Sequence, residues 1–495
     1  MSTHANRFRA VSLVPIFILC AFLAGCNGGS KTPPPPPVPM VQNLNNATTP
    51  TNEVGLPVEI NGTGFQSAPG RVIFTQGNVS AMVTPNASAW SDTLIRAMVP
   101  AGNGSSQFTL PGTISVSVES TGGRSNTIDL NVFPTVDFDV RTITWTTTTP
   151  LPSVLSGLGA VTVPSNSTTS AWVVITGGYN GSVNTSNVYS DVIGSDGRLG
   201  PSWTATVTHA LPVTLAYHGM AEADPGNSPV AVGTRYLYVL GGQQVSTSQP
   251  GGVATVYATQ FDPDTGTVGT WVQLPTNLPQ PLIGPAVALF NGYIYVVGGL
   301  TPSQAPSSSI YTAKVQADGT LGPWFTAPNP YPVPIAFATA FGYAGNLYVL
   351  GGDSQNSNSP NVSGFGGITD VQLAPARNGV VGPWFSTNPT IKGRAKQVTW
   401  LAFGQVIDAE GVYQGNPGDL EMEHTVINAD SSVAPWVGIT ASSNVPGANV
   451  FNAAAIFSPI LSSTGAPRFL LLGGETFTTL QLGILSDQVY FNQTP

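Results

Sequence analysis

In a chain with only 8% charged residues, one stretch concentrates groups that could bind a polar ligand or move protons. Between Ile391 and Asp430, nine of 40 residues are charged: Lys392, Arg394, Lys396, Asp408, Glu410, Asp419, Glu421, Glu423 and Asp430. If these residues lie on strands, alternation puts Lys392, Arg394 and Lys396 on one face, and Glu421 with Glu423 on one face of another strand. Cations opposite carboxylates can neutralise one another as ion pairs. They can also orient a ligand and, where burial poises a titratable group, serve as acid and base. Other reactive types are scarce. The two cysteines, Cys20 and Cys26, both fall near the N-terminus, so the rest of the chain has no disulfide, thiol nucleophile or cysteine metal site. His209, His218 and His424 show no ligand spacing, and His218 is expected to be a structural residue of a strand. There is no G-x-S-x-G, H-E-x-x-H or phosphate loop, and FDPDTGT reads as a turn because it lacks the ligand series of a calcium loop. No catalytic residue, metal or cofactor is assigned.

The elements that would position these groups repeat. YLYVLGG (Tyr236 to Gly242) returns as YIYVVGG (Tyr293 to Gly299) and NLYVLGG (Asn346 to Gly352), and more loosely as WVVITGG ending at Gly178 and FLLLGG ending at Gly474. Short apolar runs closed by Gly-Gly read as strands buried on both faces, with the glycines where backbone approaches closely or φ turns positive. The last interval is about double the others, which places a decayed copy near residue 413 and gives six units. A second marker alternates with the glycines: Trp145, Trp203, Trp271, Trp324, Trp384 and Trp436. The phrases before it, DGRLGPSW, DTGTVGTW, DGTLGPW and NGVVGPW, carry hairpin turn signals.

One unit therefore reads as an inner strand, the Gly-Gly strand, a Tyr-bearing strand, a hairpin, and an outer strand at Trp. Four antiparallel strands at this period resemble the kelch repeat, which implies an all-β fold with a six-bladed kelch-like β-propeller over residues 134–495. The last unit, ending at DQVYFNQTP, lacks its hairpin and Trp, while VDFDVRTITW (Val136 to Trp145) supplies an outer strand with no blade before it. The two fragments are expected to complete one blade and close the ring. Among kelch-type enzymes, copper radical oxidases need a cysteine crosslinked to tyrosine, absent from this region. A sialic acid epimerase-like, carbohydrate-active enzyme is the alternative function, because it would use cationic and acidic groups in the channel.

Ahead of the repeats, Arg7 and Arg9 precede an apolar stretch, Val11 to Leu23, too short to span a bilayer comfortably. It ends in LAGC, which resembles the bacterial lipobox. The resemblance implies a signal peptide over 1–25, lipidation of Cys26 and, with Asn27 following, a place at the outer membrane of the cell envelope. Residues 26–40, with Pro33 to Pro37, read as a tether. Residues 41–133 alternate as short strands, a small sandwich. Their pattern G-x-GF, WSDT-x-I-x-x-x-VP-x-G and GG-x-SN resembles an IPT/TIG domain, an immunoglobulin-like module with no catalytic residues.

The formal charge of −9 argues against nucleic acid as a partner. The loops after Gly-Gly begin at Tyr179, Gln243, Leu300, Asp353 and Glu475 and are long and polar, and a propeller puts such loops on one rim. The expected function is a surface-anchored lipoprotein acting as a non-catalytic binding module for glycan or protein. A purely architectural envelope role is a further alternative. Its partners would be the membrane, through the lipid, and an unidentified protein or glycan. Candidate binding residues are Lys392, Arg394, Glu421, Glu423, Tyr179, Gln243, Asp353 and Glu475.

Overall fold

The computed structural model describes residues 35–45, 50–110, 112–133, 139–165, 170–205, 209–223, 235–245, 250–354, 367–413, 416–417, 422–428, 430–439, 450–458, 466–478 and 481–493. Cys26, the lipobox and most of the tether lie outside them, as does Glu421. The described residues form strands joined by turns, with two 3-10 turns and no α-helix. None of their helices is long and apolar enough to cross a membrane.

Residues 40–133 build two sheets. One pairs Met40–Leu44, Pro57–Thr63 and Leu94–Met98; the other pairs Thr51–Glu53, Ile128–Phe133, Gly112–Ser120, Arg71–Gln76 and Val79–Val83. The alternating residues that suggested one buried face do face inward. Ile60, Ile95, Val72, Phe74, Ile114 and Val116 meet in one apolar core, closed by Phe65 and Trp90. Trp90 donates its indole N–H to the Gln66 carbonyl at 2.9 Å, so the buried ring keeps its polar atom satisfied.

Six antiparallel sheets follow, each ordered from an inner strand outward. The inner strands are Gly159–Pro164, Gly219–Ala223, Ala286–Phe290, Thr339–Tyr343, Val398–Ala402 and Ala454–Ser458. Next come the Gly-Gly strands: Ala171–Thr176, Arg235–Leu240, Tyr293–Val297, Asn346–Leu350, Gln405–Ala409 and Arg468–Leu472. Third strands and short outer strands complete each sheet. In the sixth, the outer strand is Thr144–Thr147, which pairs antiparallel with Val489–Gln493 and sets Trp145 opposite Asn492. One ladder thus joins the first and last strands of the repeated sheets, leaving no open edge there. Each inner strand neighbours the next, and Ala454–Ser458 returns to Gly159–Pro164.

The Gly-Gly pairs hold one conformation throughout: φ is +58 and +97 at Gly177 and Gly178, and +63 and +97 at Gly298 and Gly299. The decayed copy expected near residue 413 is Glu410-Gly411, with φ of +59 and +90. The strand before it, QVIDA, ends in Glu-Gly, so a side chain stands where the other five pairs have hydrogen. Glu410 is buried.

The sandwich meets the sheets through Glu59. Its buried carboxylate lies 3.2 Å from Arg96 of the sandwich and 3.5 Å from Arg377 of the fourth sheet. It presses on Gly345, where a methyl would fall 2.4 Å from the carboxylate. Gly345 is in the turn between the first two strands of the fourth sheet, the opposite end of those strands from Gly351-Gly352. The sandwich therefore sits on the face away from the Gly-Gly loops.

Candidate functional site

Just before each inner strand the chain makes the same left-handed step. Gly157, Tyr217, Gly284, Phe337, Lys396 and Asn452 have φ of +59, +55, +60, +55, +58 and +55. Their backbones form a ring around the axis: Tyr217 N–H donates to Gly157 O (2.7 Å), Gly284 to Tyr217 (2.8 Å) and Phe337 to Gly284 (2.8 Å). The ring continues from Lys396 to Phe337 (3.0 Å) and from Asn452 to Lys396 (3.2 Å), and Gly157 N–H closes it on Asn452 O at 2.8 Å. Two of the six must be glycine. A methyl at Gly157 would fall 2.5 Å from the Tyr217 ring, and one at Gly284 would fall 2.3 Å from the Phe337 ring.

A second set of six surrounds the first. Tyr179, Gln243, Leu300, Asp353, Val412 and Glu475, each directly after a Gly-Gly or Glu-Gly pair, bridge across to Ser156, Ala216, Ile283, Ala336, Ala395 and Phe451. The four candidate loop residues are therefore one structural position repeated about the axis. Three of them converge with ring residues. Glu475 accepts from the Ser156 hydroxyl and, at 3.1 Å, from Asn452 Nδ2. Ser156 is also hydrogen-bonded to the Tyr217 phenol. Because a carboxylate only accepts, the relay runs from Tyr217 O–H through Ser156 to Glu475. Burial, and then the charge of Glu475, push the Tyr217 phenol up. Lys396 Nζ lies 4.9 Å from the Phe337 ring centre and 5.6 Å from that of Tyr217, a cation–π arrangement. Burial lowers the ammonium to about 8, opposed by the charges of Glu475 and Asp353. The lysine is enclosed by protein yet keeps part of its surface in solvent, as do Tyr217, Phe337, Tyr179 and Glu475. Gln243 holds the same backbone position, and its carbonyl accepts from Asn184 at 2.8 Å.

The charged stretch that stood out in the sequence divides differently from the expectation. Lys392, Arg394 and Lys396 do not share a strand face, because only Arg394–Ala395 is paired and the positive φ of Lys396 breaks the alternation. Lys392 is half-buried on the approach, its carbonyl accepting from Thr390 Oγ1 at 2.9 Å. Arg394 is 1% exposed and turns into the fifth sheet, where Nη1 meets Asp408 at 3.2 Å and the Glu423 carboxylate. Glu423 also accepts from the Ile391 N–H at 2.6 Å, and Asp408 from Thr399 Oγ1 at 2.8 Å. Burial raises the Asp408 carboxyl to about 7; Arg394 opposes that shift and Glu423 adds to it. This is a buried network with its partners supplied from within. His218 is likewise packed, with Nε2 2.8 Å from Thr176 Oγ1, and burial lowers it to about 4. Among the described residues no group of three or more His, Cys, Asp or Glu could hold a metal ion.

Ser156, Tyr217, Phe337 and Asn452 were missed by sequence reading. Aligning the six segments before the inner strands would have exposed a column of Gly, Tyr, Gly, Phe, Lys and Asn.

No family model matches the chain. Over 146 residues, 29% of its length, the chain is 30% identical to beta-scruin of Limulus polyphemus, and the match spans 14% of that protein. Among solved structures, one described as the structure of YjhT aligns with a TM-score of 0.46 at 13% identity, over 69% of this chain and 95% of that one. The repeated antiparallel sheets and the likeness to beta-scruin, a kelch-repeat protein, support a kelch-like β-propeller.

Proposed function

We propose that the chain is a lipid-anchored envelope protein in which an immunoglobulin-like module carries a six-bladed propeller, and that the propeller is a non-catalytic module for binding a glycan or a protein. One observation carries this reading. Residues from the loops after Gly-Gly, Tyr179, Asp353 and Glu475, gather with Tyr217 and Lys396 on the axis, on the face that the sandwich leaves open. Loops held on a rigid scaffold are the usual binding surface, and a partly exposed polar and aromatic centre suits a ligand. The test is an array of glycans and peptides probed with the full chain in detergent. Saturable binding that Lys396→Met with Glu475→Gln abolishes is the expected result. Binding untouched by that pair removes the axis from the account.

The Tyr217–Ser156–Glu475 relay beside a lysine of weakened basicity also favours a second reading, acid–base chemistry on a reducing sugar. Turnover of free sialic acids or other reducing sugars, lost in Glu475→Gln, would replace the binding reading. The anchor is tested separately: Cys26→Ala is expected to abolish partitioning into detergent, and unchanged partitioning rules the lipid out.

A further inference from the structure

The axial ring has two unlike sides. Toward the third and fourth sheets it is apolar, with Ile283, Leu300 and Ala336 buried together and Tyr217 and Phe337 packed against them. Toward the first and sixth sheets it is a hydrogen-bonding arc made by Ser156, Asn452 and Glu475. Lys396 stands between the two, its nitrogen over the aromatic rings and in the field of Glu475 and Asp353. A pyranose has the same division: a C–H face that packs on apolar and aromatic surface, and an edge of hydroxyls that need donors and acceptors together.

Charge decides which sugar. The cluster sets one ammonium against two carboxylates. An acidic sugar would bring a third carboxylate beside these buried or half-buried groups, where partial desolvation amplifies repulsion. A guanidinium fork would relieve it, but Arg394 is held inside the fifth sheet by Asp408 and Glu423. We propose that the axial face is a subsite for a neutral pyranose, with its C–H face toward Phe337 and Tyr217 and its hydroxyls on Glu475, Asn452 and Lys396. This deepens the glycan-binding reading and rests on it.

Calorimetric titration of the full chain in detergent tests the proposal. The probes are two series of neutral oligosaccharides, β-1,4-linked glucose and α-1,4-linked galactose, each beside its C6-carboxylate counterpart. The expected result is saturable binding of a neutral series, at least about tenfold tighter than its carboxylate counterpart. Glu475→Gln should weaken it by about tenfold or more, because a site built to pair hydroxyls loses strongly when a partner is removed. Ser156→Ala, which deletes the relay without touching the ring backbone, should weaken it less, with both variants melting close to the parent. Equal or tighter binding of the carboxylate series overturns the neutral class and leaves the binding module standing. Neutral binding indifferent to both variants overturns the assignment to the axis. If no sugar binds but a peptide from the array does, and Lys396→Met abolishes it, the sugar falls and the module remains. If neither sugars nor array ligands bind, both readings fall together.

Discussion

Arg394 and Lys396 are two residues apart and carry the same charge, yet the fold gives them different surroundings. Arg394 lies within the paired strand segment and enters the fifth sheet, where two carboxylates and a backbone N–H complete its network. Lys396 takes a left-handed step, joins the backbone ring, and reaches two aromatic faces and two carboxylates contributed by other sheets. The first environment takes both carboxylates from the fifth sheet and is closed to solvent. The second is assembled from several sheets and stays partly open. In a charge-poor chain, where a charge's partners come from separates a cation held by one sheet from one held where several sheets meet.

Removing each cation in turn should have unequal effects. Arg394→Ala leaves Asp408 and Glu423 buried without a counter-charge and should destabilise the protein by about 3–5 kcal/mol. Lys396→Met keeps most of the packing and should shift the denaturant midpoint far less. Equal losses would erase the distinction.

Asp408 makes the fifth-sheet network sensitive to pH. Its folded-state carboxyl is raised to about 7, above the ordinary value near 3.9, so the folded protein binds more protons than the unfolded chain between these values. Its contribution therefore weakens as pH rises from about 4 to about 7, by a few kcal/mol at most. Asp408→Asn should flatten the slope of melting temperature against pH in that window. A slope unchanged in the variant means Asp408 is not the group responsible.

Glu59 offers a smaller effect at the other face. Glu59→Ala removes a buried acceptor shared by Arg96 and Arg377, both partly exposed, and should cost about 1–2 kcal/mol. It should also loosen the sandwich, seen as faster proteolysis near residue 134, while ligand affinity at the axis stays the same. Affinity that falls with it would couple the two faces.

Much of the repeat array is legible in the sequence because its markers are backbone requirements. Gly-Gly stands at five of the six strand ends where φ turns positive twice in succession, and Trp recurs at the outer strand. The sixth pair hid because Glu410 tolerates the same φ as the glycine it replaces. The axial column was harder to see. Its members share a conformation and no chemistry, so Gly, Tyr, Gly, Phe, Lys and Asn show no compositional pattern. Reading Lys392, Arg394 and Lys396 by alternation assumed a continuous strand, which the left-handed residue at 396 interrupts. Glu475 and Asp353 were found for a different reason: loops after Gly-Gly must share one face.

Lys396 as a half-buried ammonium of weakened basicity at the proposed binding face is the central claim. The chain has four lysines, Lys31, Lys314, Lys392 and Lys396, few enough for side-chain 13C labelling to resolve them by NMR in the detergent-solubilised protein. The account predicts one lysine signal titrating at about 8, absent from Lys396→Met and displaced when ligand is added. Four signals titrating together in the ordinary lysine range near 10.4, none of them moved by ligand, would contradict it.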